Sequence, residues 1–442
     1  MIPIKNCFSQ FVYRTVTVLL TVLFCASSLI GGINCKEPPT PKDFQPTLRF
    51  LVCSDIHLDG DPNQPAALRT AQMFRDAYAY AAADKSYQRL DAVLVAGDFA
   101  TSGDEKEYQL FNKIVKKNKK DETKLLTVLG NHEFIKYRDE DASVGYDVYR
   151  KYMGEMIDTH NVICGYHFIG VSYDPNGKTF KGKRAWLKKE LDKAVKDDPQ
   201  RPIIVFQHPH PTATVYGSIN WSDLDIRLVL DRYPQVVDFS GHSHYAASDP
   251  RAIWQGAFTA IGTGSLSAFM GNLNYMEGDK DAPGESGGFW MVEADESGRI
   301  RLRLYDIVNH CFLENIDYFL NDLNNITKRR YSWGNQLLRD TAPKFPENAE
   351  IKAEYNANGE LLLKFPDATG YYEAESYKIV ITNAKNKIVF EKTVFSDYVR
   401  AGQTGVCVSA GSQKPGRYHV RITSYSPYAK TGGTLKTNVI AG

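Results

Sequence analysis

Residues 236–246 read VVDFSGHSHYA: an apolar run ends at a glycine, and two histidines separated by one serine follow it. In a strand, or in extended chain leaving a strand, side chains at i and i+2 lie on the same side, so His242 and His244 can face one point. This arrangement suits a metal ion. The alternative is a pair of surface histidines on a solvated turn, and partners elsewhere in the chain decide between the two interpretations.

The sequence around this stretch, from residue 47, repeats a short apolar strand, a loop and an amphipathic helix. Buried strands are predicted from seven runs: LRFLVCS, DAVLVAG, KLLTVLG, YHFIGVSY, PIIVFQ, QVVDFSG and FTAIGTGS. Helices are predicted from apolar spacings of three and four in AALRTAQMFRDAYAYAAA, DEKEYQLFNKIVKK and KRAWLKKELDKAV. The alternation predicts an α/β sandwich, closed by a β-hairpin with its turn near Glu296 to Gly298.

Polar side chains follow five of these strands directly. They are Asp55 and His57, Asp98, Asn131 and His132, His208, and the pair His242 and His244. Open α/β sheets place their sites at the carboxyl ends of strands. Each cluster alone is also consistent with a turn or cap, since Gly-Asp and Gly-Asn are common turn pairs, but five in succession favour a site. Imidazole, carboxylate and amide ligands without thiolate favour Mn, Fe or Zn.

The ordered set D-x-H, G-D, G-N-H-E, H and G-H-x-H resembles the calcineurin-like metallophosphoesterase superfamily over residues 47–310. The resemblance implies a four-layer αββα sandwich with two metal ions, divalent or of mixed valence, at the strand ends. One metal would take Asp55, His57 and His244. The second would take Asn131, His208 and His242. Asp98 would bridge the two metals, and His132 would be the catalytic histidine outside the ligand set.

Two cations about 3.5–4 Å apart can hold a phosphate and generate a bridging hydroxide at neutral pH. The expected reaction is in-line attack of this hydroxide on phosphorus. As an imidazolium, His132 would stabilise the charged transition state or protonate the departing oxygen. His208 is preferred to His210 as the ligand because it follows the strand directly; His210 would lie behind the ligands or face substrate. Glu133 is expected to brace or cap its loop.

Departures from known subfamilies narrow the expected activity. Purple acid phosphatases have a tyrosine where this chain has Thr101, so no ferric tyrosinate is expected, and GDFATSG lacks the phosphate-clamping arginine of serine/threonine protein phosphatases. The chain is more similar to the bacterial phosphodiesterase branch. We expect a hydrolase of small phosphodiesters, with substrate choice set by DGDPNQPA and the loop from Ser267 to Gly288. The alternatives are a phosphomonoesterase or pyrophosphatase, and a non-catalytic surface binding protein that retains the fold.

The N-terminus predicts export. Residues 1–36 contain an uncharged run, TVTVLLTVLFCASSLIGG, typical of a signal peptide or short anchor, and residues 37–46 form a spacer. A periplasmic or cell-surface location follows, with membrane anchorage as an alternative to cleavage. Cys25 and Cys35 are candidate lipidation sites, although neither lies in a convincing lipobox. With a formal net charge of +1 over 442 residues, the chain has no basic surplus for nucleic acid.

The spacing of apolar residues changes in the C-terminal part of the chain. Residues 311–344 are interpreted as a connector, and from about residue 345 the apolar residues alternate. Strands are predicted from seven runs: AEIKAEYN, ELLLKFP, SYKIVITN, KIVFEKTVF, TGVCVSA, GRYHVRITSYSP and TLKTNVI. Residues 345–442 are therefore expected to form a small all-β antiparallel sandwich similar to fibronectin type III or Ig-like domains. It would bind glycan or protein, or serve as a structural spacer.

Overall fold

The structure is a computed structural model that describes residues 39–139, 141–175, 180–267, 286–396 and 405–441. The predicted signal or anchor segment lies outside these residues, as does most of the loop from Ser267 to Gly288. Within the described part of the chain, no helix combines the length and the apolar character needed to cross a membrane.

Among its described residues, the N-terminal domain has fourteen strands and five α-helices, numbered here in chain order. The strands are β1 (Pro46–Cys53), β2 (Ala92–Ala96), β3 (Lys124–Val128), β4 (Thr159–Ile163), β5 (Tyr166–Val171), β6 (Ile203–Gln207), β7 (His210–Pro211), β8 (Ser222–Asp223), β9 (Val236–Ser240), β10 (Ile253–Gln255), β11 (Thr259–Gly262), β12 (Gly288–Asp295), β13 (Ile300–Asp306) and β14 (Cys311–Leu320). The helices are α1 (Pro65–Ala83), α2 (Glu105–Asn118), α3 (Ser143–Met153), α4 (Arg184–Asp197) and α5 (Leu224–Leu230).

Two six-stranded sheets pack face to face in this domain. Their strand orders are β14-β13-β12-β1-β2-β3 and β10-β11-β9-β6-β5-β4. The inner faces share one core in which Phe50 contacts Phe168 and Phe239 edge to face, with ring centroids 5.1 Å and 6.1 Å away. Helices α1 to α3 cover the outer face of the first sheet and α4 and α5 that of the second. The predicted αββα sandwich is confirmed.

The sheets bring the carboxyl ends of five strands to one edge. β1, β2 and β3 run parallel in the first sheet, and β6 and β9 run parallel in the second. Each of these strands is followed by one of the polar clusters found in the sequence. The topology therefore concentrates residues that are up to about 190 positions apart, from Asp55 to His244, at the same end of the sandwich.

The domain boundary predicted at residue 310 is wrong, because β14 continues the first sheet. Cys311–Leu320 pairs antiparallel with β13 over the register Ile300↔Leu320 to Asp306↔Cys311. As the sheet's outermost strand it is only partly buried, so its sequence CFLENIDYFL carries polar residues and no clean alternation. The segment between the two domains therefore begins after Leu320, and it contains helix α6 (Trp333–Arg339).

The C-terminal domain is the predicted antiparallel sandwich, and all seven predicted runs form strands. These are β15 (Lys352–Tyr355), β16 (Glu360–Phe365), β17 (Ser376–Asn383), β18 (Ile388–Phe395), β19 (Val406–Ser412), β20 (Gly416–Tyr425) and β21 (Thr431–Ala441). They form sheets of order β15-β16-β19 and β18-β17-β20-β21 around a core that includes Leu361, Tyr377 and Ile422. The closer likeness to fibronectin type III or Ig-like domains stays a prediction.

Trp290 tests the contact between the two sheets of the first domain. It is fully buried on β12, and its indole N–H donates to the carbonyl of Gly262 at the end of β11, 3.0 Å away. Trp290→Ala should lower the free energy of unfolding by about 3–5 kcal/mol, since it leaves a large cavity and an unpaired carbonyl. Urea unfolding followed by far-UV circular dichroism measures this. Trp290→Phe should lose less, and a loss below about 1 kcal/mol in the alanine variant would contradict the packing described.

Candidate metal centre

All three predicted ligands of the first metal meet at the shared edge. The Nε2 atoms of His57 and His244 lie 3.0 Å apart, and His244 Nε2 lies 3.0 Å from Oδ1 of Asp55. One ligand atom from each of the three residues falls within 4.8 Å of the others. Ligand atoms held about 2 Å from a common ion are separated by about 3 Å, so this spacing suits joint coordination.

Three residues predicted for the bridge and the second metal form an adjoining group. His208 Nε2 lies 2.8 Å from Oδ2 of Asp98 and 3.1 Å from Nδ1 of His242. His208 Nε2 is also 3.8 Å from Asp55, so the two groups are neighbours. Asp98 occurs in a third group as well, with His57 and His132. Asp98 thus contacts both halves of the site, as a bridging carboxylate must.

Asn131 provides the test of whether these residues fit a metal. Its Oδ1 atom is buried, and it accepts no hydrogen bond from any residue that the structure describes. An unpaired buried amide oxygen costs roughly 1–3 kcal/mol unless something binds it. A hard or borderline cation would bind it together with the neighbouring imidazoles and carboxylate. The donor set therefore fits two metal ions.

Backbone contacts hold the ligand loops in place. The carbonyl of Asp98 accepts from the amides of Ile56 and His57, at 2.8 Å and 3.1 Å, which ties the loop after β1 to the loop after β2. Asp98 Oδ1 accepts from the amide of His132 at 2.9 Å, and Asp55 Oδ2 accepts from the amide of His242 at 3.0 Å. The ligand carboxylates thus also serve as anchors for loops from other strands.

Five of the predicted ligands have left-handed backbone conformations. These residues are Asp55 (φ 52°), His57 (φ 55°), Asp98 (φ 52°), His242 (φ 74°) and His244 (φ 56°). A residue with a side chain adopts this region rarely, at a cost of about 1–2 kcal/mol. Such strain concentrates at functional sites, where the surroundings enforce it. Here the five side chains with this conformation all belong to the groups at the common edge.

Backbone carbonyls fix the tautomers of two histidines, His208 and His132. His208 Nδ1 lies 2.9 Å from the carbonyl of Ala96, and His132 Nδ1 lies 2.8 Å from the carbonyl of Thr101. A carbonyl only accepts, so each Nδ1 carries the proton and each Nε2 points into the site. The His132 side chain is 32% exposed, whereas that of His208 is fully buried. His132 is therefore open to substrate and His208 is not.

The charges of the site also differ between its histidines. Burial opposes protonation of His208, yet Asp98 and Asp55 outweigh it and raise the pKa of His208 to about 10. Burial lowers the pKa of His57 to about 4 and that of His242 to about 3. Burial alone would raise the pKa of Asp55, but the neighbouring His244 and His208 hold it below its usual range. Of these three histidines, His208 is therefore the one that carries a second ring proton at neutral pH in the metal-free site.

The structure shows the contacts of His210, for which the sequence left two roles open. His210 is 1% exposed, and its two ring nitrogens lie 2.9 Å and 2.8 Å from the hydroxyls of Ser240 and Ser243. It therefore lies behind the ligands and does not face substrate, as one of the two sequence interpretations expected. Ser243 was missed by the sequence reasoning, although its place between two predicted ligands was a signal. It fixes the H-x-H turn from behind.

Glu133 braces its loop as predicted. Its carboxylate accepts from the amides of Asp98, Ala100 and Gly130, at 3.1, 2.9 and 2.6 Å. It is fully buried, and that burial, together with the charge of Asp98, raises the pKa of Glu133 to about 8. One side chain thus joins the loops that follow β2 and β3.

Comparison with known proteins identifies the class of this domain. Residues 48–246, which include every predicted site residue, match the family model described as calcineurin-like phosphoesterase. This segment is a calcineurin-like phosphoesterase domain, and the family hydrolyses phosphate esters. No curated protein matches the chain.

Solved structures show similarity over part of the chain. A purple acid phosphatase from yellow lupin (Lupinus luteus) seeds is 13% identical, with 62% of this chain and 53% of that chain covered and a TM-score of 0.44. A 5'-nucleotidase precursor from Thermus thermophilus is 14% identical, with 62% and 54% covered and a TM-score of 0.35. The chain thus spans about half the length of each of these two proteins.

Substitution of Asn131 separates metal binding from stability. Asn131→Leu removes the unpaired buried oxygen, so the metal-free free energy of unfolding should stay unchanged or rise by up to about 1 kcal/mol. Mn²⁺ affinity should fall about tenfold or more, since a ligand is lost. Chemical denaturation and calorimetric titration measure the two quantities.

Asn112→Leu is the matched control for this substitution, because the Asn112 amide donates to the carbonyl of Tyr152 at 2.9 Å on α3, away from the site. It should lose about 1 kcal/mol of stability and keep full Mn²⁺ affinity. If Asn131→Leu bound Mn²⁺ as tightly as the wild type, Asn131 would not be a ligand.

Metal binding should release the proton held by His208. Coordination requires a neutral imidazole, so affinity should increase with pH from neutral pH towards the raised pKa of His208. His208→Gln and His242→Gln both remove a ligand of the same group, but only the first removes a proton. At neutral pH, proton release on Mn²⁺ binding should be about one proton smaller in His208→Gln than in His242→Gln. Calorimetry in buffers of different ionisation enthalpy measures this, and equal release would show that the proton is not on His208.

Proposed function

We propose that this protein is an exported, dimetal-dependent phosphoesterase that acts on small phosphodiesters. The phosphoesterase domain supports hydrolysis of a phosphate ester, and the finer assignment rests on the residues around the site. The main support for the proposal is that two groups of side chains meet at one edge of the sandwich, with the unpaired oxygen of Asn131 beside them. The groups are Asp55, His57 and His244, and Asp98, His208 and His242.

The protein's own residues have separate tasks in this reaction. Asp55, His57 and His244 would hold one cation, and His208, His242 and Asn131 the other, with Asp98 between them. The bound cations would supply Lewis acidity and an activated water for attack on phosphorus. The buried loops described above keep the ligands oriented before substrate arrives, so that little reorganisation is needed during the reaction.

His132 is proposed to act on the substrate. Its Nδ1 proton is committed to the carbonyl of Thr101, so Nε2 is the atom that faces the site, 3.9 Å from Oδ2 of Asp98. A proton on Nε2 would stabilise charge on the phosphoryl oxygens or pass to the departing oxygen. Since His132 also groups with His57 and Asp98, a variant must show that it is not a ligand.

Two features support a diester as the substrate. The loop GDFATSG contains no arginine, so it offers no fixed cation for the second negative charge of a monoester. The half-buried ring of Trp221 lies perpendicular to that of His242, with centroids 5.1 Å apart. It provides an aromatic wall beside the ligands against which an organic ester group would pack.

The proposed location and partners rest on the sequence. The uncharged run within residues 1–36 supports export to the periplasm or cell surface, with or without retention as an anchor. The partner expected at the site is a small phosphate ester. For the C-terminal sandwich, its ion pair with the N-terminal domain supports a role within the protein itself.

Hydrolysis of two nitrophenyl esters tests the proposed substrate class. With Mn²⁺ added, kcat/KM for bis-p-nitrophenyl phosphate should exceed that for p-nitrophenyl phosphate, because the loop GDFATSG offers no arginine to bind a dianion. The opposite order would indicate a phosphomonoesterase. No turnover of either ester, with both metals bound, would favour a binding protein that retains the fold.

The leaving group tests the role of His132. An alkyl alkoxide needs a proton to depart and nitrophenolate does not, so His132→Ala should reduce hydrolysis of an alkyl diester by on the order of 10²-fold and affect a nitrophenyl diester far less. Metal analysis should still find two equivalents. His419→Ala is the control, since His419 lies on β20 and pairs with Asn438. Loss of metal in His132→Ala would make His132 a ligand, and equal losses on both esters would exclude proton donation.

A further inference from the structure

One largely buried carboxylate of the C-terminal sandwich contacts the domain of the metal centre. Glu375 lies just before β17, and its backbone is fixed within the sandwich: its amide donates to the carbonyl of Tyr425, and its own carbonyl accepts from the amide of Ser396, each at 2.9 Å. Its side chain, only 14% exposed, forms an ion pair with Arg251 of the N-terminal domain. A rigid part of one domain thus presents a charge to the other.

Arg251 is held in a defined position by this contact. Its side chain is 8% exposed, and it also pairs with the fully buried Asp249, with Nη2–Oδ2 and Nε–Oδ1 distances of 2.6 Å and 2.8 Å. Its guanidinium lies over the ring of Tyr216, 3.7 Å from the centroid. The Tyr216 hydroxyl lies 3.5 Å from the Glu375 carboxylate. The backbone amide of Tyr216 donates to the carbonyl of Arg251.

Tyr216 connects these charges to the H-x-H turn. Its ring contacts that of Tyr245, with centroids 4.5 Å apart. The next residue, Gly217, packs so closely that an added Cβ would lie 2.7 Å from Cβ of Ser243 and 3.0 Å from Tyr245. Ser243 and Tyr245 are the two chain neighbours of His244. The segment that carries this predicted ligand is therefore enclosed by residues that Glu375 holds.

We propose that Glu375 is a positioning residue for the metal centre, acting through Arg251 and Tyr216 on residues 243–245 and so on the ligand His244. The inference rests on the proposed function in so far as His244 is a metal ligand. The left-handed backbone of His244 needs surroundings that enforce it, and the ion pair between Glu375 and Arg251 makes those surroundings rigid. The C-terminal domain then completes the site without contacting substrate.

Hydrogen exchange of the metal-free protein tests the positioning role of Glu375 directly. Glu375→Ala should increase the exchange rate of amides in residues 242–252 at least about tenfold, because the segment loses its fixed support. Peptides from β1 and β2 should exchange as in the wild type. Glu375→Gln keeps the shape of the side chain and one acceptor oxygen, so it should give a smaller increase in exchange. If the alanine variant does not fold, the exchange of residues 242–252 in Glu375→Gln tests the proposal.

Glu373→Ala is the matched control, since Glu373 lies two residues earlier, is exposed, and has a 3.4 Å contact with Asn315. Its exchange pattern should equal that of the wild type. Unchanged exchange of residues 242–252 in both Glu375 variants would overturn the proposal, as would an equal increase in the Glu373 variant.

Mn²⁺ titration then tests whether Glu375 affects metal binding. The wild type should bind two equivalents, and Glu375→Ala should weaken one of them about tenfold or more, because His244 belongs to only one ligand group. The other should change less than about twofold. Equal weakening of both, or of neither, would overturn selective positioning. Failure of the wild type to bind two equivalents would instead refute the proposed function, while the exchange measurement would still test the positioning role of Glu375.

Discussion

Asp98 is the residue on which the rest of the site depends. Its carbonyl binds the loop after β1, one carboxylate oxygen binds the loop after β3, and the other contacts His208 at the end of β6. Its amide donates to Glu133. The contacts with His208 and Glu133 are fully buried, where hydrogen bonds to a charged group are strongest and an unpaired group is most costly. A single carboxylate therefore sets the positions of loops that come from both sheets.

The same arrangement explains how the strained backbone is tolerated. Left-handed conformations at five ligand positions would cost several kcal/mol in an isolated chain. The Glu133 carboxylate fixes the amides around Asp98, and Gly130 allows the close approach, since a Cβ there would lie 2.1 Å from Asp98 Oδ1. The two packed sheets supply the rigid frame, so the energy for this strain comes from the core rather than from the site.

The fold and most of the site could be predicted from the sequence because both have local signals. Apolar runs marked the strands, and the residues that follow them, such as Asp55, Asn131 and His208, marked the shared edge. β14 was missed because an edge strand with polar residues has no clear period. The role of Glu375 could not be predicted, since its partner Arg251 lies 124 residues earlier and neither residue stands in a motif. Contacts of this kind depend on how two domains dock, which no local pattern encodes.

The proposed site requires two cations, one on either side of Asp98. Crystals soaked in Mn²⁺ and measured at the manganese edge would locate the ions directly. We expect two anomalous peaks about 3.5–4 Å apart, one beside His244 and one beside Asn131, with the Asp98 carboxylate in contact with both. A single peak, or two peaks of which Asp98 contacts only one, would contradict the proposed site.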